Sequence, residues 1–289
     1  MYERVLFILV IFLLAYFLKL LKIFKEEDSR VFINYVLYFA LPSLILKELN
    51  GIKVEDSSGV VLFAWAVIGA SLLISYLVGV LMGLRGGSLR AFILVSSFGN
   101  TAFMGYPFTF AMFGEEGMAY AVMYDQLGSF LLVITAGLFI ATGRFSLKEL
   151  IMFPPFIALL FAFLLRGVEL PPVLNTLLEV SGKSLIPVVL FAIGLKFSFR
   201  DLSSEIVRAF ASVSVKMLLV PGFALLLIHV LGLEGLAYRV ALLESAMPPM
   251  VMAGVLAIKY GLDERLAVSS ISLGVVLSFI SVPLIVSIY

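Results

Sequence analysis

The sequence predicts an all-α integral membrane protein with ten transmembrane helices, arranged as two inverted five-helix repeats. Three observations predict it. Of 289 residues, 62% are apolar and 13% charged, against about 45–50% and about 25% in an average soluble domain. The apolar residues fall into ten runs near the roughly 20 residues that cross a hydrocarbon core as helix. Landmarks in the first five runs also recur in the last five, as Pro42 does in Pro187, FGEEG ending at Gly117 in YGLDE at Tyr260 to Glu264, and Gly128 in Gly274.

In chain order the spans are 5–23, 31–46, 59–82, 91–113 and 117–142, then 150–165, 173–195, 206–231, 236–260 and 266–288. The first is followed by KEEDSR and by no small-residue cleavage site, so it reads as a retained helix rather than a leader. All ten are too long and too uniformly apolar for the alternating strands of a membrane barrel. Five spans per repeat is an odd number, which forces the two copies, 1–146 and 147–289, into opposite topology.

Orientation follows the cations, because short cytoplasmic loops are enriched in Lys and Arg. Of 20 Lys and Arg, thirteen follow odd-numbered spans, Arg30, Arg85, Arg144, Lys196 and Lys259 among them. The other side holds Arg4, Lys47, Lys53 and Arg166, with Arg239 just inside the ninth span. The expectation is a multi-pass plasma-membrane protein with both termini outside.

Composition also excludes whole classes of function. Nineteen acids leave a net charge of +1, with no basic stripe for nucleic acid. There is no Cys and one His, which removes disulfide scaffolds, thiol catalysis and most zinc sites. No Walker loop, GxSxG or dinucleotide fingerprint occurs, so neither an enzyme nor an ATP-driven pump is expected, and no cofactor or metal. Four Asn and one Gln follow the depletion of labile residues reported for heat-adapted proteins.

The chemistry gathers where two spans break. The fourth contains FGNTAFMGYP, 98–107, and the ninth ESAMPP, 244–249. Proline removes a backbone donor and clashes one turn back, and glycine permits irregular backbone. Paired breaks in corresponding places mark a transport site, because half-helix ends present free amides and carbonyls to a ligand. The residues expected to bind substrate at this crossover are Asn100, Thr101, Gly105, Pro107, Ser245, Pro248 and Pro249. Pro42, Pro187, Pro221 and Pro283 read as kinks. Four ionisable residues, Asp125, Lys183, Lys216 and Glu244, lie deep in their spans, where charge is costly and marks coupling or charge compensation. Glu179 stands one turn before Lys183 and can pair with it.

On these motifs the chain resembles the auxin efflux carrier family. The resemblance rests on NTAFMGYPFTFAMFGEEG at 100–117 and SAMPP at 245–249 followed by LAIKYGLDE at 256–264, with YFALPSLIL at 38–46 and KMLLVP at 216–221 in support. It implies an elevator-type carrier similar in plan to bile-acid and sodium/proton carriers. Spans one, two, six and seven would form a scaffold through which a homodimer is expected, and spans three to five and eight to ten a moving transport domain. Asn100 would contact substrate beside the crossover of Pro107 and Pro248. The long cytosolic loop of plant members is replaced here by GRFSLKEL at 143–150, and the third span lacks the acid that plant members place there.

The function expected is secondary transport of a small organic anion, a carboxylate or auxin-like compound, across the lipid bilayer, with proton or sodium coupling open. The alternatives are a cation/proton antiporter using Asp125 and Glu244, or a membrane receptor that binds ligand without moving it.

Overall fold

The computed structural model describes residues 2–50, 54–144, 154–198 and 205–288. Lys53, Lys148, Arg200 and the start of the sixth expected span lie outside them. The described chain is helical, with one isolated antiparallel bridge, Gly99 to Pro249.

Twelve helical segments follow in order. They are α1 (Tyr2–Leu20), α2 (Glu26–Leu49), α3 (Val54–Leu81), α4 (Gly86–Ser97), α5 (Tyr106–Phe113) and α6 (Glu115–Thr142), then α7 (Pro154–Leu164), α8 (Pro172–Lys196), α9 (Ile206–Leu231), α10 (Leu236–Ser245), α11 (Val251–Lys259) and α12 (Glu264–Ile288). Among the described residues, six are long and apolar enough to cross a membrane alone: α2, α3, α6, α8, α9 and α12. The fourth and ninth spans of the sequence reading are not single rods. Each is two short helices, α4 with α5 and α10 with α11.

Proline accounts for much of the local geometry. Ahead of Pro42, Pro107 and Pro221 the helix widens into a π turn, over Val36–Ala40, Thr101–Gly105 and Val215–Leu219. In each, the residue just before the proline or its neighbour donates five residues back: Leu41 to Val36, Tyr106 to Thr101, and Val220 to Val215. A proline ring needs room one turn back, and admitting an extra residue into that turn supplies it. Glycine ends both second half-helices. Gly114 after α5 has φ +70° and Gly261 after α11 has φ +63°, a backbone region that side chains with a Cβ avoid.

The helices pack in two groups. α1 packs on α8, and α2 on α7 and α8; around α3, a second group joins α4, α6, α9, α10 and α12. Two buried apolar clusters reflect this, one centred on Phe12, Leu44, Leu159 and Leu190, the other on Phe63, Phe92, Ile228 and Leu266. α5 lies on α6 and also touches α1, so this half of the first broken segment sits between the groups. The outer faces of α1, α7 and α9 carry exposed Leu, Phe and Val, as lipid contact requires.

At the α1–α8 contact a Cβ added at Gly194 would strike the Phe12 carbonyl oxygen and come within 2.8 Å of Ala15 Cβ. Overpacking of such a contact typically costs about 1–3 kcal/mol. Gly194→Ala is therefore expected to lower the thermal midpoint in detergent by several degrees, measured by differential scanning fluorimetry, whereas Gly222→Ala, which meets open space, leaves it in place.

Candidate functional site

In a membrane every backbone polar group left by a broken helix must find a partner within the protein. Here the two breaks supply each other. Phe98 leaves α4 extended at φ −97°, ψ 124°, and Met250 enters α11 extended at φ −69°, ψ 134°. The strands so formed cross antiparallel: Asn100 N–H donates to the Pro248 carbonyl at 2.8 Å, and Met250 N–H to the Phe98 carbonyl at 2.9 Å.

Four half-helix ends meet at this crossing. The C-terminal ends of α4 and α10 present carbonyls, and the N-terminal ends of the Thr101–Phe113 stretch and of α11 present amides. The carbonyl ends are capped differently. On α10, the Ser245 carbonyl accepts from the Lys216 ammonium of α9 at 2.6 Å. On α4, the Ser96 and Ser97 carbonyls face the Ser71 hydroxyl of α3 at 3.3 and 3.4 Å, and the Ser97 hydroxyl donates to Ser75 at 3.0 Å. One end thus meets a lysine Nζ and its counterpart meets serine hydroxyls.

The amide ends open into a cavity of about 640 Å³. Its polar floor is Asn100, Asp125 and Gln126; its walls include Leu37, Leu41, Phe103, Phe130, Met250 and Val255; and Arg30, Lys196 and Lys259 also line it. Asp125 is held by three donors, the Thr101 hydroxyl, the Tyr106 hydroxyl at 2.7 Å and the Gln126 amide at 2.6 Å. The consecutive Asp125 and Gln126 both line the cavity, from a π stretch of α6, Tyr124–Phe130. Beside this floor, the Asn100 side-chain nitrogen and the Gln126 side-chain oxygen are buried without a partner.

Glu244 lies on the α5 side of α10 and is fully buried. One of its oxygens accepts from the Thr109 hydroxyl at 2.9 Å and the other has no partner. It presses on Gly105, where any Cβ would collide with the carboxylate; glycine at 105 is what admits the acid. Lys216 similarly lies against Gly99, its Nζ 3.2 Å from where a Cβ would stand. Pro248 and Pro249 pack on Gly274 of α12, and Gly128 of α6 on Ala64 of α3.

Of the residues singled out from the sequence, Asn100, Thr101, Gly105, Pro248, Asp125, Lys216, Glu244 and Ser245 therefore come together at or beside the crossing. Pro107 is buried at the start of α5. Lys183 goes elsewhere. It is half exposed, pairs with Glu115 at 2.9 Å and Glu179 at 3.0 Å, and lines a second cavity of about 370 Å³ with Lys47 and Glu48. Residues the sequence reading passed over are Tyr106, Thr109, Gln126 and the cations Arg30, Lys196 and Lys259. The signal for Gln126 was its being the sole Gln of the chain, next to a buried acid.

The chain is similar to known proteins over its length. The family described as membrane transport protein matches residues 1–144 and 138–286. An uncharacterized transporter of Methanothermobacter thermautotrophicus is 32% identical over 291 residues, covering 98% of this chain and 96% of that protein. A second uncharacterized transporter, from Methanocaldococcus jannaschii, is 32% identical over 299 residues, with the same coverage.

Removing the ammonium at α10 tests the cap. Lys216→Met leaves the buried Ser245 carbonyl without its donor, a loss of about 1–3 kcal/mol. The expected outcome is a thermal midpoint below wild type, while Lys183→Met, at an exposed ion pair worth roughly 0–1 kcal/mol at most, leaves the midpoint nearly unchanged.

Proposed function

The chain belongs to the membrane transport protein family, and from that premise we propose that it is a secondary carrier for a small organic acid, bound as a carboxylate-bearing molecule at the crossing of the two broken segments. The observation that carries this reading is the cavity of about 640 Å³ into which Asn100 and the starts of both second half-helices open. Half-helix amides favour an anionic or strongly polar group, and Arg30, Lys196 and Lys259 on the same cavity draw an acid toward it. Its apolar walls suit an organic skeleton.

The two packing groups support an elevator-type division. α1, α2, α7 and α8 would form the scaffold and the remaining helices a transport domain that carries the crossing through the membrane. The recurrence of a broken pair followed by a left-handed glycine, at Gly114 and Gly261, supports two inverted repeats related as the sequence suggests. The three cations lining the cavity belong to the loops assigned to the cytoplasm. In that orientation the cavity faces inward, and the Lys183–Glu115 pair, which joins α8 to α6, closes the outer side. A cation exchanger using Asp125 and Glu244 is less well supported. Asp125 is already filled by three donors, and no group of three metal-ligating side chains occurs among the described residues.

Tracer counterflow in proteoliposomes tests the reading without depending on net charge movement. Vesicles loaded with unlabelled malonate, malate or phenylacetate are diluted into trace labelled acid. Transient accumulation of at least one acid is expected, cut about tenfold or more in Asn100→Ala and less in Asp125→Asn. Flux of sodium or protons without any acid, abolished by Asp125→Asn and indifferent to Asn100→Ala, would instead establish the cation exchanger.

A further inference from the structure

The second cavity, of about 370 Å³, lies at the other end of the scaffold from the first. Its α2 residues include Lys47 and Glu48, whereas the larger cavity takes Arg30 and Leu37 from the same helix. Arg30 and Glu48 stand roughly 25 Å apart along α2 at 1.5 Å per residue. Phe110 of α5 and Glu115 of α6 close the small cavity from the other packing group. The two second half-helices are also packed differently. α5 lies against α1 and α8 of the scaffold, whereas α11 packs mainly on α4 and α12 of its own group. The α5 end is thus the one drawn against the scaffold.

A row of alternating charges runs across this closed end. Lys47 of α2 donates to Asn175 at 2.8 Å and pairs with Glu179 at 3.7 Å; Glu179 pairs with Lys183 one turn on at 3.0 Å; and Lys183 reaches Glu115 at 2.9 Å. The first three members belong to α2 and α8, so the scaffold itself positions the Lys183 ammonium. Glu115 is fixed as well. It opens α6 directly after Gly114, whose φ of +70° turns the chain from α5 into α6. The Lys183–Glu115 pair therefore ties the tip of the second half-helix to the scaffold. The pairs Arg208–Glu205 and Arg208–Asp263, by contrast, lie inside the other group.

The opposite end does not repeat this pair. Counted from the landmarks Pro42 and Pro187, the position equivalent to Lys183 is Tyr38; counted from Gly114 and Gly261, the position equivalent to Glu115 is Leu262. Neither carries charge. The acid that follows, Asp263, is engaged within its own group by Ser88 and Arg208.

We propose that Lys183 and Glu115 form a latch that holds the α5 end of the carrier shut, and that this one-sided pair biases the resting protein toward the arrangement seen here. The proposal rests on the elevator division given above, with α8 in the scaffold and α5 and α6 in the moving group. Both side chains are more than half exposed, so the latch is weak, as suits a contact that must open in every cycle. An exposed pair of this kind shifts a two-state equilibrium by about two- to fivefold.

The chain contains no Cys, so spin labels at Val173→Cys in α8 and Glu234→Cys between α9 and α10, both exposed positions, report the separation of the two groups at this end. Distances are measured by double electron–electron resonance in nanodiscs. The expected result is two distance populations, with the one matching this structure in the majority. Lys183→Met and Glu115→Gln each raise the minor-to-major ratio by about two- to fivefold, and the two together raise it no further than either alone. Glu179→Gln, which removes contacts inside the scaffold only, leaves the ratio in place. A ratio unmoved by either single variant, additive effects in the double variant, or an equal rise in Glu179→Gln overturns the latch while leaving two mobile groups intact. One unchanging distance in every variant overturns the latch and the elevator division together, and tracer counterflow then reports separately whether an acid is carried.

Discussion

Everything in this molecule hangs on how two interrupted helices satisfy their own backbone inside hydrocarbon. A break in a membrane helix frees amides and carbonyls that water cannot reach, and each unsatisfied group costs several kcal/mol. The Asn100 to Pro248 and Met250 to Phe98 hydrogen bonds turn two such breaks into one short antiparallel pairing. Neither break is stable without the other, so the crossing is a joint element contributed by both halves of the chain. Its placement between two packed groups of helices then follows, since irregular backbone is tolerated only where protein surrounds it or a cavity meets it.

The crossing leaves a second problem, which the chain solves asymmetrically. Two carbonyl ends converge on the same point, each carrying partial negative charge. At α10 the Lys216 side chain donates to the Ser245 carbonyl; at α4 the Ser71 hydroxyl faces the Ser96 and Ser97 carbonyls.

Much of this was legible in the residues. Pro107 and Pro248, 141 positions apart, marked the two breaks, because proline and glycine within an apolar run have few other structural consequences. The deep residues Asp125, Lys216 and Glu244 were legible because charge in such a run demands a partner. What the sequence concealed depends on turns that periodicity does not report. Gln126 lines the same cavity as Asp125 within the π stretch at Tyr124–Phe130, a turn geometry that hydropathy does not carry. Lys183 was read by depth along its span, yet the helix face it occupies turns it to Glu115 and Glu179. Depth is a one-dimensional coordinate, and the direction a side chain faces is not contained in it. The fourth and ninth apolar runs are each cut into two half-helices, which the sequence could mark by proline and glycine but hydropathy alone could not, since it counts residues and is blind to where the rod is cut.

Asn100 shows why the break and the binding floor occupy one place. Its backbone amide is used in the crossing and its backbone carbonyl begins the π turn ahead of Pro107, accepting from Met104 and Gly105 at 3.0 and 3.1 Å. With the main chain so fixed on both sides, the side chain has little freedom to seek a partner and its nitrogen remains unpaired in the cavity wall. The same hydrogen bonds that make the break tolerable thus hold a donor open and preorganised, and a ligand that fills it incurs little further ordering cost. In a helix that continued unbroken, an asparagine at this depth would have bonded to its own backbone or to a neighbouring helix. The strain of interrupting the helix and the capacity to bind a polar group are therefore one structural fact, and substitutions that relieve the first would be expected to remove the second.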